Sequence, residues 1–166
     1  MMNAAILPSK TLEPHQKAVS RLNQLQFFGT ASSLIELLQK GWAPSEDNHN
    51  WNDGPEASLL LKLDRIPTQT CTISVEGAAF IHQRAPRQAI TLYANGWRLN
   101  SWLLKDAGKT MLEAIIEPEQ WFARGDIAQL NLHWHMPDCT SPKDIGLGSD
   151  ERQLAFCFMS ITVTAA

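Results

Sequence analysis

His133 and His135 stand two residues apart in the run AQLNLHWHM (128–136). On a strand, side chains two apart leave on the same face, so both imidazoles could reach one transition-metal ion. A metal site needs further ligands. The downstream groups nearby are Asp138 and Cys139, both in an irregular loop, while His49 and His82 are distant in sequence. Strand alternation favours another assignment, with Trp134 pointing inward and both histidines on a polar outer face. No metal is therefore assigned to them.

A second concentration of ligating atoms is EDNHNWND (46–53), with Glu46, Asp47, Asn48, Asn50, Asn52 and Asp53. These are hard oxygen donors of the kind calcium takes, although the run lacks EF-hand spacing and Asx-rich stretches commonly form turns. Calcium is left open at this stretch, and no cofactor is assigned. Glycoside hydrolysis needs two carboxylates facing each other across a cleft. Glu113, Glu117 and Glu119 are close in sequence, but Glu113 and Glu117 at i, i+4 share one strand face and read as a solvated edge. The chain has no GxSxG elbow, no Walker loop and no GxGxxG, so no catalytic residue is assigned and an enzyme is not expected.

The six Trp against one Tyr are the unusual part of the composition. An indole is costly to bury whole because its N–H wants a partner, so some rings should sit at surfaces or rims. Flat rings can stack on sugar faces while amides and carboxylates bond the hydroxyls. The pool is Trp42, Trp51, Trp97, Trp102 and Trp121. Trp97 follows Asn95-Gly96 at a hairpin tip, and Trp51 sits in a polar loop beside Asn52 and Asp53; Trp102 and Trp134 lie in alternating strands and suit a core. The candidate sugar contacts are Trp51, Trp97, Asn95, Asp53 and Arg152. Each ring also fits a plain core or rim position.

Near the C-terminus a long loop joins two apolar strands through Pro137, Ser141-Pro142, Gly146, Gly148 and Asp150-Glu151-Arg152. Pro142 fixes φ and removes a donor, and Gly146 permits backbone conformations closed to other residues. Asp150 can accept N–H bonds within the turn, and Arg152 can fork onto a carboxylate. Pro142, Gly146, Asp150 and Arg152 therefore read first as a brace, with direct ligand contact as the alternative.

The elements that position these groups fall into two regimes. PHQKAVSRLNQLQFF places Val19, Leu22, Leu25 and Phe28 at helical spacing. SSLIELLQKGW offers Ser32 or Ser33 as N-cap, the stripe Leu34, Ile35, Leu37 and Leu38, and Gly41 as the stop. One or two N-terminal helices are expected, in a segment 1–40 ahead of a domain 41–166. From Trp42 onward seven strands are predicted: 57–64, 71–80, 88–94, 97–104, 111–117, 128–136 and 154–163. Ile73/Val75, Leu130/Leu132/Trp134 and Phe156/Phe158 alternate as half-buried antiparallel strands do, and Asn95-Gly96 is a type I′ hairpin signal. Strands without helices between them indicate a mainly β, two-sheet antiparallel β-sandwich.

At 166 residues and 18.5 kDa the chain suits one domain with a small appendage. A net charge of -3 offers no basic field for phosphate backbones and excludes nucleic acid as the main ligand. Cys71, Cys139 and Cys157 lack CxxC spacing and read as free thiols, Cys71 and Cys157 buried in apolar runs. No basic leader with a long apolar core opens the sequence and no run is long enough for a membrane span, so a cytoplasmic location is expected.

The order GW (41–42), NWNDGPEASLLLKL (50–63), RQAITLYANGWRL (87–99) and PDCTSPKDIGLGSDERQLAFCFMSITV (137–163) resembles a bacterial jelly-roll module. Such modules are attached to glycosyltransferases and other exopolysaccharide-assembly proteins and are similar to carbohydrate-binding sandwiches. The likeness covers about residues 41–163 and is carried by Trp51, Asn95-Gly96, Ser141-Pro142, Gly146, Ser149-Asp150, Arg152 and Leu154. It implies a non-catalytic carbohydrate-recognition or scaffolding module of polysaccharide biosynthesis, with a polysaccharide or a glycosyltransferase as partner. Two other functions remain open. One is a protein-interaction or homo-oligomerising subunit docking through the N-terminal helices; the other is a cupin-like metal enzyme using His133 and His135.

Overall fold

Alternation of apolar and polar residues becomes strand throughout. The computed structural model describes residues 19–165, and its strands are β1 (Gln26–Phe27), β2 (Asn50–Trp51), β3 (Glu56–Leu63), β4 (Cys71–Ala79) and β5 (Gln88–Ala94), followed by β6 (Trp97–Leu104), β7 (Lys109–Ile116), β8 (Phe122–Arg124), β9 (Ile127–His135) and β10 (Phe156–Ala165). The seven long strands begin and end within about two residues of the expected positions. The three short ones, β1, β2 and β8, carry too few residues to show a period.

Two antiparallel sheets form a sandwich. One runs β1-β10-β4-β7, with β2 also pairing β10; the other runs β3-β9-β5-β6, with β8 also pairing β9. The inner faces interdigitate through Leu59, Leu61, Ile73, Val75, Ile90, Leu92, Leu130, Leu132, Phe156 and Phe158, all buried. Trp134 is buried whole, as its inward place in an alternating strand implies. Its ring meets Phe158 edge-on at 5.0 Å, and Trp42 meets Phe158 at 4.9 Å, the offset geometry that aromatic quadrupoles favour. Trp42 keeps its indole satisfied, donating to the Ser58 carbonyl at 2.7 Å.

Local chemistry explains the β5–β6 hairpin. Asn95 and Gly96 have φ of 49° and 86°, the pair of positive angles that a type I′ turn requires.

The N-terminal helices are not found, and the backbone shows why. Among the described residues there is no α-helix. Val19 to Phe28 instead runs along the sheet edges: Ser20 N–H donates to the Lys62 carbonyl at 2.9 Å, and Asn23, at φ 63°, donates to the Val163 carbonyl at 2.7 Å. A left-handed residue in the second turn ends any helix there. The part of that expected helix before Val19 lies outside the described residues. The second stretch makes only a 3-10 helix, Ser33–Leu37, capped by the Ser32 hydroxyl, which accepts from Leu34 N–H at 2.9 Å. It stops early because Leu38 bridges to Leu59 and Gln39 N–H donates to the Ser58 carbonyl, so strand pairing outcompetes another turn. Phe28, Leu34 and Leu37 sit in the same core as the sandwich. The leucines expected to dock a partner are thus already used within the chain.

Candidate functional site

On the outside of the β3-β9-β5-β6 sheet, alternation leaves a floor of polar side chains. Ser58 on β3 pairs with His133 on β9, which pairs with Tyr93 on β5, which pairs with Arg98 on β6. Paired residues share a face, so these four stand in a row across the sheet. One step along, Glu56 pairs with His135 and His135 with Thr91; on the other side Leu60 pairs with Asn131. These rows floor an open cleft of about 600 Å³, bounded by Lys40 at one end and Gly96 at the other. Lys40 arrives there because its segment continues the sheet beyond β3: Ser58 N–H donates to the Lys40 carbonyl at 3.0 Å.

The charges in the cleft are ordered. Lys40 Nζ donates to Glu56 Oε2 at 3.1 Å, and His133 Nε2 lies 3.8 Å from Glu56 Oε1. The Lys40 ammonium, aided by the field of His133, holds the Glu56 carboxyl below the usual carboxylate range. Glu56 is therefore a fixed acceptor at neutral pH. The Tyr93 ring lies 6.2 Å from the His133 ring, tilted by 57°. The cleft thus combines one phenol ring, an amide at Asn131, two imidazoles and one ionised carboxylate. A single carboxylate, tied to a lysine, does not make the facing pair that glycoside cleavage needs. Ser58 is no exposed nucleophile; it is 5% accessible and accepts from Lys40 N–H. Among the described residues no three His, Cys, Asp or Glu side chains converge to hold a metal ion.

His133 and His135 lie in this cleft, whereas the candidate sugar contacts separate into two groups, neither of them lining it. Trp51 lies on β2, in the opposite sheet, with its ring edge-on to His49 and Phe80, each at 6.3 Å. Asp53 accepts from Gln153 N–H at 2.9 Å. Arg152 grips Asp150, with Nη2 to Oδ2 at 2.6 Å, and Glu46, with Nη1 to Oε1 at 3.1 Å. Glu46 in turn holds His49 Nε2 at 3.1 Å. The Arg152 contacts depress the Asp150 pKa, its hydrogen bond foremost, and push the guanidinium pKa further up. Within the loop, Leu147 N–H donates to the Pro142 carbonyl at 2.7 Å, and Gly146 turns at φ 76°. The closing loop is pinned to the 46–53 stretch.

Two amides of that stretch are similarly committed. Asn52 is fully buried: its Oδ1 accepts from Ala155 and Phe156 N–H, both at 2.8 Å, and its Nδ2 donates to the Gly54 and Gln153 carbonyls. Asn50 Oδ1 accepts from Gly29 N–H at 3.0 Å.

The second group is the hairpin. Asn95 extends β5: Oδ1 accepts from Asn131 N–H at 2.9 Å, while Nδ2 donates to the Gln120 and Gln129 carbonyls at 2.7 and 3.1 Å. Trp97 is 60% exposed but pairs with buried Ala94, on the core side of the sheet edge, whereas Tyr93 points the other way. Sequence reasoning passed over Tyr93, Glu56, Lys40, Ser58 and Asn131. The outward phase of His133 was the available signal, since whatever pairs with an outward residue is itself outward.

Fold and site together define a two-sheet antiparallel β-sandwich with an open polar cleft on one sheet. No protein-family model matches the chain, and no curated protein matches it by sequence. Among solved structures it is similar to the EclA C-terminal domain, a sugar-binding protein, at 16% identity and TM-score 0.41, covering 64% of this chain and 65% of that one. It is similar to a family 16 carbohydrate binding module-2 at 14% identity and TM-score 0.39, covering 70% and 75%. It is also similar to the insecticidal crystal protein Cry2Aa at 9% identity and TM-score 0.40, covering 87% of this chain and 20% of that one. This chain therefore spans just under two thirds of the first and a fifth of the last. None of these likenesses bears on what the cleft binds.

Proposed function

We propose that the chain is a non-catalytic carbohydrate-recognition module that takes its ligand on the outer face of the β3-β9-β5-β6 sheet. One observation carries this: Tyr93 and His133 stand side by side in an open cleft, with Asn131 and Glu56 beside them. A ring face supplies apolar contact for a pyranose, and an amide with a fixed carboxylate supplies the directional bonds to its hydroxyls. We read the strand order, β1-β10-β4-β7 over β3-β9-β5-β6, as a jelly roll. The resemblance of the closing segment supports a setting in bacterial polysaccharide assembly beside a glycosyltransferase, for which we propose a cytoplasmic location.

Affinity electrophoresis in polysaccharide gels tests the assignment. Tyr93→Ala is expected to remove retardation while leaving the melting temperature within a few degrees of the parent, and Trp97→Ala to retain it. Retardation that survives Tyr93→Ala and is lost in Trp97→Ala or Trp51→Ala would move the ligand to the residues first read from the sequence. A parent protein retarded by no polysaccharide would end the sugar reading.

A further inference from the structure

Charge is distributed unevenly over the two sheets, and the uneven side is the side of the cleft. The whole chain carries a net charge of -3. Yet the cleft sheet has Lys62, Arg98 and Arg124 on its strands against one carboxylate, Glu56, and that one is already taken by Lys40. The opposite sheet has Glu76 and Glu113 against Lys109. All three cleft-sheet cations are on the outer face. Lys62 lies between buried Leu61 and Leu63, Arg98 pairs with outward Tyr93, and Arg124 pairs with Ile127 beside the inward pair Ala123 and Ala128. None of the three forms an ion pair with a described residue, as Arg21, Lys40, Arg87, Lys109, Lys143 and Arg152 do; Arg65, Arg84 and Lys105, outside the strands, are likewise without one among the described residues. Unneutralised cations spread over one face of an acidic protein raise the potential there relative to the rest of its surface.

A second feature gives the face a direction. Phe122, 62% exposed, pairs with outward Gln129, as Tyr93 pairs with outward His133. Two aromatic side chains therefore flank β9 four residues apart, about 13 Å at ~3.3 Å per strand residue. Gln129 and Asn131 lie between them, offering amides. That span is longer than one sugar ring.

We propose that the ligand is an anionic, extended glycan, such as a uronic-acid polymer, lying along β9 from Tyr93 to Phe122 with its carboxylates facing Lys62, Arg98 and Arg124. The inference rests on the sugar-recognition reading above and adds the charge and length of the ligand. Three separated cations on a protein of net negative charge are too few to track a nucleic-acid backbone, which is why a glycan is chosen over RNA.

The test compares gels and titrations with acidic polysaccharides (polygalacturonate, alginate, hyaluronate), with neutral ones (dextran, mannan, xylan) and with a single-stranded RNA oligonucleotide, at 10 and 150 mM NaCl. The acidic set is expected to bind, and to bind at least about tenfold more weakly at the higher salt, since the Debye length falls from ~30 to ~8 Å. Arg98→Gln, Lys62→Gln and Arg124→Gln, exposed or half-exposed changes that spare the core, should each weaken binding about threefold, the size of a solvent-screened contact. Phe122→Ala should weaken hexasaccharides and leave disaccharides unchanged. Binding to neutral polymers alone, unaffected by salt or by the three glutamine variants, overturns the charge assignment and leaves sugar recognition standing. RNA bound in preference to every polysaccharide overturns the glycan, and no binding to any polysaccharide overturns both proposals.

Discussion

Replacing Asn52 by alanine should cost more stability than any surface change in this protein. The side chain has no solvent exposure and ties three segments together. It accepts from Ala155 and Phe156 N–H at 2.8 Å each and donates to the Gly54 and Gln153 carbonyls at 2.8 and 3.0 Å. In Asn52→Ala the Gln153 carbonyl still accepts from Gly54 N–H at 2.9 Å, so its loss is partial. The two N–H groups have no such reserve, because Ala155 and Phe156 are themselves fully buried. A buried donor left without an acceptor costs about 1–3 kcal/mol, so the pair should cost about 2–6 kcal/mol. Domains of this kind hold about 5–15 kcal/mol in total. Each kcal/mol moves Tm by about 2–4 °C at this length, so a central value of about 4 kcal/mol lowers it by roughly 8–16 °C. Urea unfolding followed by tryptophan fluorescence reads the midpoint and slope directly. Asn48→Ala is the control: an exposed amide from the same stretch, bonded only to its neighbour His49, it should change stability by less than about 0.5 kcal/mol. A loss below about 1 kcal/mol in Asn52→Ala, at unchanged slope, would refute the claim that this amide joins the closing loop to the sandwich.

Other expectations follow from the same contacts. Asp150 has a folded pKa below its ordinary value of about 3.9, so its pairing with Arg152 stabilises the fold above that pH and is lost as pH falls through the depressed value; Asp150→Asn should flatten that acid limb in urea midpoints taken from pH 6 to pH 2. Burial, and then the charge of Glu46, push the Cys157 thiol up to about 12, and burial raises Cys71 as well. With Ellman's reagent at pH 8 both should react only on unfolding, and half-buried Cys139 first; rapid native labelling of Cys157 would contradict its placement. Trp134→Ala should cost about 3–5 kcal/mol, as large core deletions do, and exposed Trp97→Ala little, a contrast that thermal melts resolve. Asn95→Ala should destabilise through three lost backbone contacts while leaving polysaccharide retardation in place.

Much of this protein was legible in one dimension because strand alternation and turn chemistry are local. The period of two in AQLNLHWHM determined that Trp134 faces the core and that His133 and His135 face outward, and Asn95-Gly96 determined a tight hairpin wherever the sheet placed it. What tertiary structure decided is which strands lie side by side. Only the pairing of β9 between β3 and β5 brings Ser58, His133 and Tyr93 into one row from positions scattered over the chain. The lone tyrosine in an alternating strand gave no sign of this. Register also put Trp97 on the core side of its edge and spent the Asn95 amide on backbone, roles that turn propensity does not encode. The helical spacing of Val19 to Phe28 was real as a pattern, yet its backbone groups found partners in the last strand, where Val163 accepts from Asn23. Long-range backbone pairing of this kind leaves no local period to read, because hydrogen-bonding partners in a sheet are chosen by topology rather than by neighbouring residues.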